Sequence, residues 1–136
     1  MTRSRTFQVL GFVLTCGFLL GGTTAALAQT PWVAPAAEKP RKNPFANDHK
    51  AIARGEEVAK LNCVGCHGAK GKGDGVAAVA LNPKPADWTS GTVQADTDGE
   101  LFWKISTGRG AMPPWKQLSE NDRWAVVRYI RTLAGK

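Results

Sequence analysis

Cys63-Val64-Gly65-Cys66-His67 is the stretch on which the reading of this chain turns. Two thiols three positions apart can each form a thioether to one edge of a haem, and the imidazole that follows then falls beneath the iron. Cys-x-x-Cys alone would also suit a zinc knuckle or a redox dithiol. A four-ligand zinc site would need two further Cys or His, and those remaining are Cys16 and His49. A thioredoxin-like dithiol would sit in a βαβ pattern, which this sequence lacks. The motif is therefore read as an attachment site for one covalent haem c, with thioethers at Cys63 and Cys66 and His67 as an axial ligand of the iron.

Length and export signals agree with that reading. The chain has 136 residues, enough for one domain, and its 43% apolar content is ordinary for a globular protein. Residues 1–28 read as a secretory signal: Arg3 and Arg5 begin it, a largely apolar run extends from Phe7 to Leu20, and Ala26-Leu27-Ala28 supplies a small-residue cleavage site. An uncleaved anchor is the alternative, weakened by Gly21-Gly22-Thr23-Thr24; lipidation at Cys16 is disfavoured by Thr15 before it. Cleavage would leave both remaining cysteines in the motif, so no disulfide is expected. Apo-protein thiols meet haem outside the cytoplasm, which places the chain in the periplasm. Loss of Arg3 and Arg5 would leave 16 basic against 11 acidic residues, a formal +5 before haem. That balance points to an acidic protein partner. It does not point to nucleic acid, because no long Lys/Arg block or basic stretch interleaved with aromatics is present.

The mature chain then falls into an arm and a domain. Residues 29–44 carry four of the eight prolines and the run Glu38-Lys39-Pro40-Arg41-Lys42, and are expected to form a flexible arm; Trp32 and Phe45 would pack loosely at the domain edge. A first helix is expected from a cap at Asn47 or Asp48 to Asn62, with Ile52, Gly55, Val58 and Ala59 on one narrow face of small residues. Gly55 is costly inside a helix and signals a bulky neighbour above it. The glycine-rich run 68–75 reads as a mobile loop. It lacks the Gly-Lys-Ser/Thr ending and the preceding strand of a phosphate-binding loop. In the stiff segment from Leu81 to Trp88, the carbonyl of Pro83 or Pro85 is expected to hold the second ring nitrogen of His67. Thr97-x-x-Glu100 caps a second helix ending at Gly108, and Ser119 with Asp122 caps a third reaching Ala134.

Met112 lies between those two helices, in Gly108-Arg109-Gly110-Ala111-Met112-Pro113-Pro114-Trp115. Apart from Met1 it is the only methionine of the chain. It sits in a loop stiffened by two prolines rather than on an apolar helix face, which suits a thioether held against iron as the second axial ligand. His49 competes for that role, but its neighbours Asn47, Asp48 and Lys50 mark it as a surface histidine.

Over about residues 45–136 the chain resembles the class I c-type cytochromes, small monohaem electron carriers. The resemblance rests on Gly55 ahead of the first haem Cys, the Cys63/Cys66/His67 motif, the proline segment, Met112-Pro113 in a late loop, and Tyr129-Ile130 in the closing helix. It implies an all-α fold of three or four helices wrapped round one covalent haem, with long loops. It also implies a first and last helix crossing where Gly55 meets Tyr129. Ala59 departs from the aromatic often found at its position in the family. The implied activity is one-electron transfer without catalysis, by a diffusible carrier or by a tethered haem subunit of an oxidoreductase complex whose arm docks it. A ligand-binding or peroxidatic haem protein ranks below both. Redox partners with acidic docking surfaces would meet a subset of Lys70, Lys72, Lys84, Lys104 and Lys116, with Arg109 beside them.

Overall fold

The computed structural model describes residues 31–136, and the signal expected over 1–28 lies outside them. Residues 32–136 form one compact unit. Its helices are α1 (His49–Asn62), α2 (Val64–His67), α3 (Gly91–Ala95), α4 (Asp98–Thr107) and α5 (Glu120–Arg131), with no strand among the described residues. The fold is all-α as expected; α2 and α3, each little more than one turn, join the three long helices that capping signals announce. No described helix is long and apolar enough to cross a membrane.

The caps explain where the long helices start. The Asp48 carboxylate accepts from the Lys50 N–H at the head of α1. At the head of α4, Thr97 and Glu100 satisfy each other's backbone N–H groups in a capping box. Ser119 accepts from the Asp122 N–H at the head of α5. Each such bond satisfies a donor that the helix itself cannot.

Apolar faces then fix the packing. Val58 and Ala59 of α1, Leu101, Phe102 and Ile105 of α4, and Trp124, Val126, Val127 and Ile130 of α5 form a single core with Trp88 and Leu133. Phe102 and Trp124 stack with ring centroids 4.0 Å apart. Burial of one such side chain contributes about 1.5–3 kcal/mol, so this cluster outweighs the ion pairs on the surface. The α1–α5 crossing depends on Gly55: a methyl group there would lie 2.0 Å from the Ala125 carbonyl oxygen and 2.9 Å from Cβ of Tyr129. The implied contact with Tyr129 is present, and the backbone of Ala125 comes closer still.

The arm differs from its expectation. Its described part is packed against the domain rather than loose. The Arg41 guanidinium lies 4.6 Å from the Phe102 ring centroid and 5.3 Å from that of Trp124, while its nitrogens reach Glu38 at 3.0 Å and Glu120 at 3.3 Å. Asn43 is buried and donates to the Trp124 carbonyl at 3.0 Å. Trp32 stands 6.4 Å from Trp103. Proline content predicts stiffness, but apart from Glu38 these partners lie about 60 to 80 residues further along the chain and leave no local trace.

Candidate haem attachment site

The motif occupies the joint between α1 and α2. Cys63 ends α1, and its carbonyl accepts from both the Cys66 N–H at 3.1 Å and the His67 N–H at 2.9 Å, so thiols and imidazole share one turn. Both cysteines are free thiols and half-buried. Burial, with Cys66 close by, pushes the Cys63 pKa up to about 11. The group is therefore a protonated thiol at neutral pH, which lowers its nucleophilicity.

His67 is buried, 9% exposed, and held from three directions. Its Nδ1 lies 3.0 Å from the carbonyl oxygen of Ala86. A carbonyl can only accept, so Nδ1 carries the proton and Nε2 is left with the lone pair a metal needs. This corrects the expected acceptor: the carbonyl is that of Ala86, not Pro83 or Pro85, and the Pro85 carbonyl instead lies against Gly73. The indole of Trp88 stacks on the imidazole at 4.5 Å with an interplanar angle of 24°. Burial lowers the His67 pKa against the opposing effect of the Ala86 bond, which favours the neutral ring.

The glycine-rich run is the third support, and it is tied down rather than mobile. The Gly73 N–H donates to the His67 carbonyl at 2.8 Å, the Gly75 N–H to the Cys66 carbonyl at 3.1 Å, and the Trp88 N–H to the Gly71 carbonyl at 2.7 Å. Gly71 has φ +71°, and a methyl group on it would lie 2.8 Å from Cε3 of Trp88, so this position needs glycine for both conformation and space.

Met112 is placed differently. It is half-buried against the same core cluster that Cys63 borders. Its loop closes through two backbone bonds, Arg109 N–H to the Met112 carbonyl at 2.9 Å and Met112 N–H to the Arg109 carbonyl at 3.0 Å. Pro113 and Pro114 are exposed, and Trp115 returns the chain by donating its N–H to the Ile105 carbonyl at 3.1 Å. His49 is exposed at the start of α1.

The donor set fits a haem: two free thiols, a neutral imidazole with Nε2 available, and a thioether on the same core. Large apolar side chains without cover flank the motif. Leu61 is 76% exposed, Val76 88% and Val79 87%, the last two on a turn whose Ala78 is buried and whose preceding residue, Gly75, bonds Cys66. Sequence reasoning missed Ala86 and Trp88 as supports of His67. The signal available was the single Trp closing the proline segment.

Among the described residues no group of three or more His, Cys, Asp and Glu is disposed to hold a metal ion by itself. The family described as cytochrome c oxidase, cbb3-type, subunit III, matches residues 50–130. The chain is 36% identical over 85 residues to the cbb3-type cytochrome c oxidase subunit FixP of Bradyrhizobium diazoefficiens, covering 61% of this chain and 28% of that protein. Against the subunit CcoP of Azospirillum sp. (strain B510) the identity is 34% over 101 residues, covering 68% and 32%. A cytochrome c subunit of the cytochrome bc1 complex of Corynebacterium diphtheriae is 25% identical over 87 residues, covering 62% and 28%. The chain thus spans about a third of the length of these relatives. Among solved structures, a chain of the Kuenenia stuttgartiensis reducing HAO-like protein complex superposes with a TM-score of 0.54 at 32% identity, over 60% of this chain and 41% of that one. Helical fold, motif geometry and family match agree: the chain belongs to the cytochrome c family, in the group described as cytochrome c oxidase, cbb3-type, subunit III.

Proposed function

We propose that this protein is a periplasmic monohaem c-type cytochrome that carries single electrons between a donor complex and a terminal acceptor. The observation that carries the reading is His67, buried with Nδ1 on the Ala86 carbonyl and the Trp88 indole on its face, directly after two free thiols. Cys63 and Cys66 would hold the haem by thioethers, with His67 Nε2 and Met112 Sδ as axial donors. Bound there, the haem supplies a one-electron ferrous/ferric couple. A thioether donor favours the ferrous state, and the apolar surroundings disfavour the extra charge of the ferric one, so both raise the potential. With His67 and Met112 in place, no position is left for a substrate, and outer-sphere transfer is the natural activity.

A second reading, a haem subunit fixed in a larger redox complex, is favoured by the relatives named above, which are subunits of oxidase and bc1 complexes. The packing of Arg41 and Asn43 on the domain's own aromatics weighs against the arm as the docking element. Of the lysines expected to steer a partner, Lys104 is withdrawn: it pairs with Asp96 at 2.6 Å and lies over the Trp32 ring. Lys84 and Lys116 are exposed.

Carbon monoxide added to the reduced protein tests the closed site. An unchanged spectrum is expected; a shifted band would favour a ligand-binding haem protein. Co-purification with an oxidase or a quinol-oxidising complex at fixed stoichiometry would favour the subunit reading over the free carrier.

A further inference from the structure

Two of the supports of His67 come from one three-residue stretch, Ala86-Asp87-Trp88: the first residue supplies the carbonyl and the third the indole. The placing of the imidazole therefore depends on what fixes that stretch. Its backbone groups can be followed one by one. The Asp87 carbonyl accepts from the Ser90 hydroxyl at 2.7 Å, a bond within the same turn. The Trp88 N–H donates to the Gly71 carbonyl at 2.7 Å, which ties the stretch to the glycine-rich run. The Trp88 carbonyl accepts from Nε2 of Gln94, also at 2.7 Å.

That last bond reaches another part of the fold. The same Nε2 donates to the Ile130 carbonyl in the last turn of α5 at 3.1 Å, where a helix leaves carbonyls without helical partners. Two carbonyls can only accept, so the amide nitrogen must face them and Oε1 must point the other way. Nη1 of Arg131 lies there, 3.4 Å from Oε1, so the network itself fixes the orientation of the amide. Arg131 also holds the backbone on either side: Nη1 donates to the Gln94 carbonyl at 3.0 Å, Nη2 to the Asp96 carbonyl, and Nε to the Asp98 carboxylate at 2.7 Å. No residue of α3, which carries Gln94, is buried, and of its five residues Val93 borders the core. Polar bonds thus supply much of what seats α3 against α5.

We propose that Gln94 is a positioning residue for His67: by bridging the Trp88 carbonyl to the end of α5, it keeps the stretch 86–88 in place behind the imidazole, with Nδ1–H on the Ala86 carbonyl. This rests on the reading of His67 as an axial ligand. A held Nδ1–H bond raises the donor strength of a ligating ring and so favours ferric iron. Loosening the bridge should therefore raise the midpoint potential.

The test follows two quantities in the isotope-labelled holoprotein at pH 7, solvent exchange of the His67 Nδ1 proton and the midpoint potential. Gln94→Met, similar in length but without a donor, should speed the exchange by about tenfold or more and raise the potential. Gln94→Glu keeps the shape and the acceptor for Arg131 but loses the donor, and should behave as Gln94→Met does. Asn43→Ala deletes a comparable amide bond to α5, the one to the Trp124 carbonyl, and should lower the unfolding midpoint while leaving both quantities as they were. Exchange and potential unaltered in Gln94→Met, equal changes in Asn43→Ala, or parental values in Gln94→Glu would each overturn the proposal. A His67→Ala protein with the parental haem spectrum would overturn the axial-ligand reading instead, a failure separate from the exchange comparison.

Discussion

The two sides proposed to face the iron are built in opposite ways. On the His67 side the ligand is buried, and Ala86, Trp88 and the glycine-rich run hold it by one side-chain bond, one ring stack and three backbone bonds. On the Met112 side a half-buried thioether sits in a loop closed by two backbone bonds and bordered by exposed prolines. The first proposed ligand is buried and tied to the chain around it, and the second is packed against the core from a loop. Damage on the histidine side should therefore cost the fold, while damage on the methionine side should cost ligation alone.

The largest expected difference follows from the ligands themselves. His67→Ala should lower the yield of haem-loaded protein by about tenfold or more, because it removes the donor and empties a supported pocket. Met112→Ala should keep the haem and the helical circular dichroism, lose the weak sulfur-to-iron absorption band, lower the midpoint potential and admit carbon monoxide. If His49→Ala produces those changes and Met112→Ala does not, the ligation scheme fails.

Next in size is the aromatic support. Trp88→Ala should destabilise the holoprotein by about 3 kcal/mol or more in guanidinium unfolding, as deletion of a buried indole does, whereas half-buried Trp115→Ala beside the methionine loop should cost well under that. Equal losses would erase the distinction between the sides. Smaller again, Gly71→Ala should cost about 1–3 kcal/mol, since its methyl group meets Trp88 at a left-handed backbone angle. Unfolding with an unaltered midpoint would show that the loop yields there.

The smallest effect is in the acid limb. The Thr89 hydroxyl and then its N–H hold the Asp87 carboxyl below its ordinary value, and the Thr97 N–H does the same for Glu100. A carboxylate depressed on folding adds stability above its unfolded pKa of about 4 and loses it as pH falls through the lowered folded value. Melting temperatures should therefore drop below about pH 4, and Asp87→Asn should flatten part of that drop. Residues 108–118 contain no carboxylate, so Lys116→Gln should leave the acid limb unchanged.

What was legible in the sequence was local. The capping residues Asp48, Thr97 and Ser119 each act within a few residues, and the three long helices start where they say. The Cys63/Cys66/His67 spacing is one helical turn and needs no tertiary knowledge. The stack of Trp88 on His67 was not legible, because it joins residues twenty-one apart through a loop whose order comes from bonds to the backbone of the motif. The same holds for the arm, where a guanidinium between distant aromatics replaces a core that the local sequence cannot supply. Glycine content in 68–75 reads as freedom, yet here it permits close contact with Trp88 and the Pro85 carbonyl.

The central claim is covalent attachment at Cys63 and Cys66, and mass spectrometry of the purified, denatured protein with digestion tests it most directly. The account predicts a chain heavier by one haem, with the added mass on the peptide containing residues 63–67 and a pyridine spectrum of the two-thioether kind. A chain of unmodified mass with extractable haem, or with stoichiometric zinc in place of iron, would contradict it.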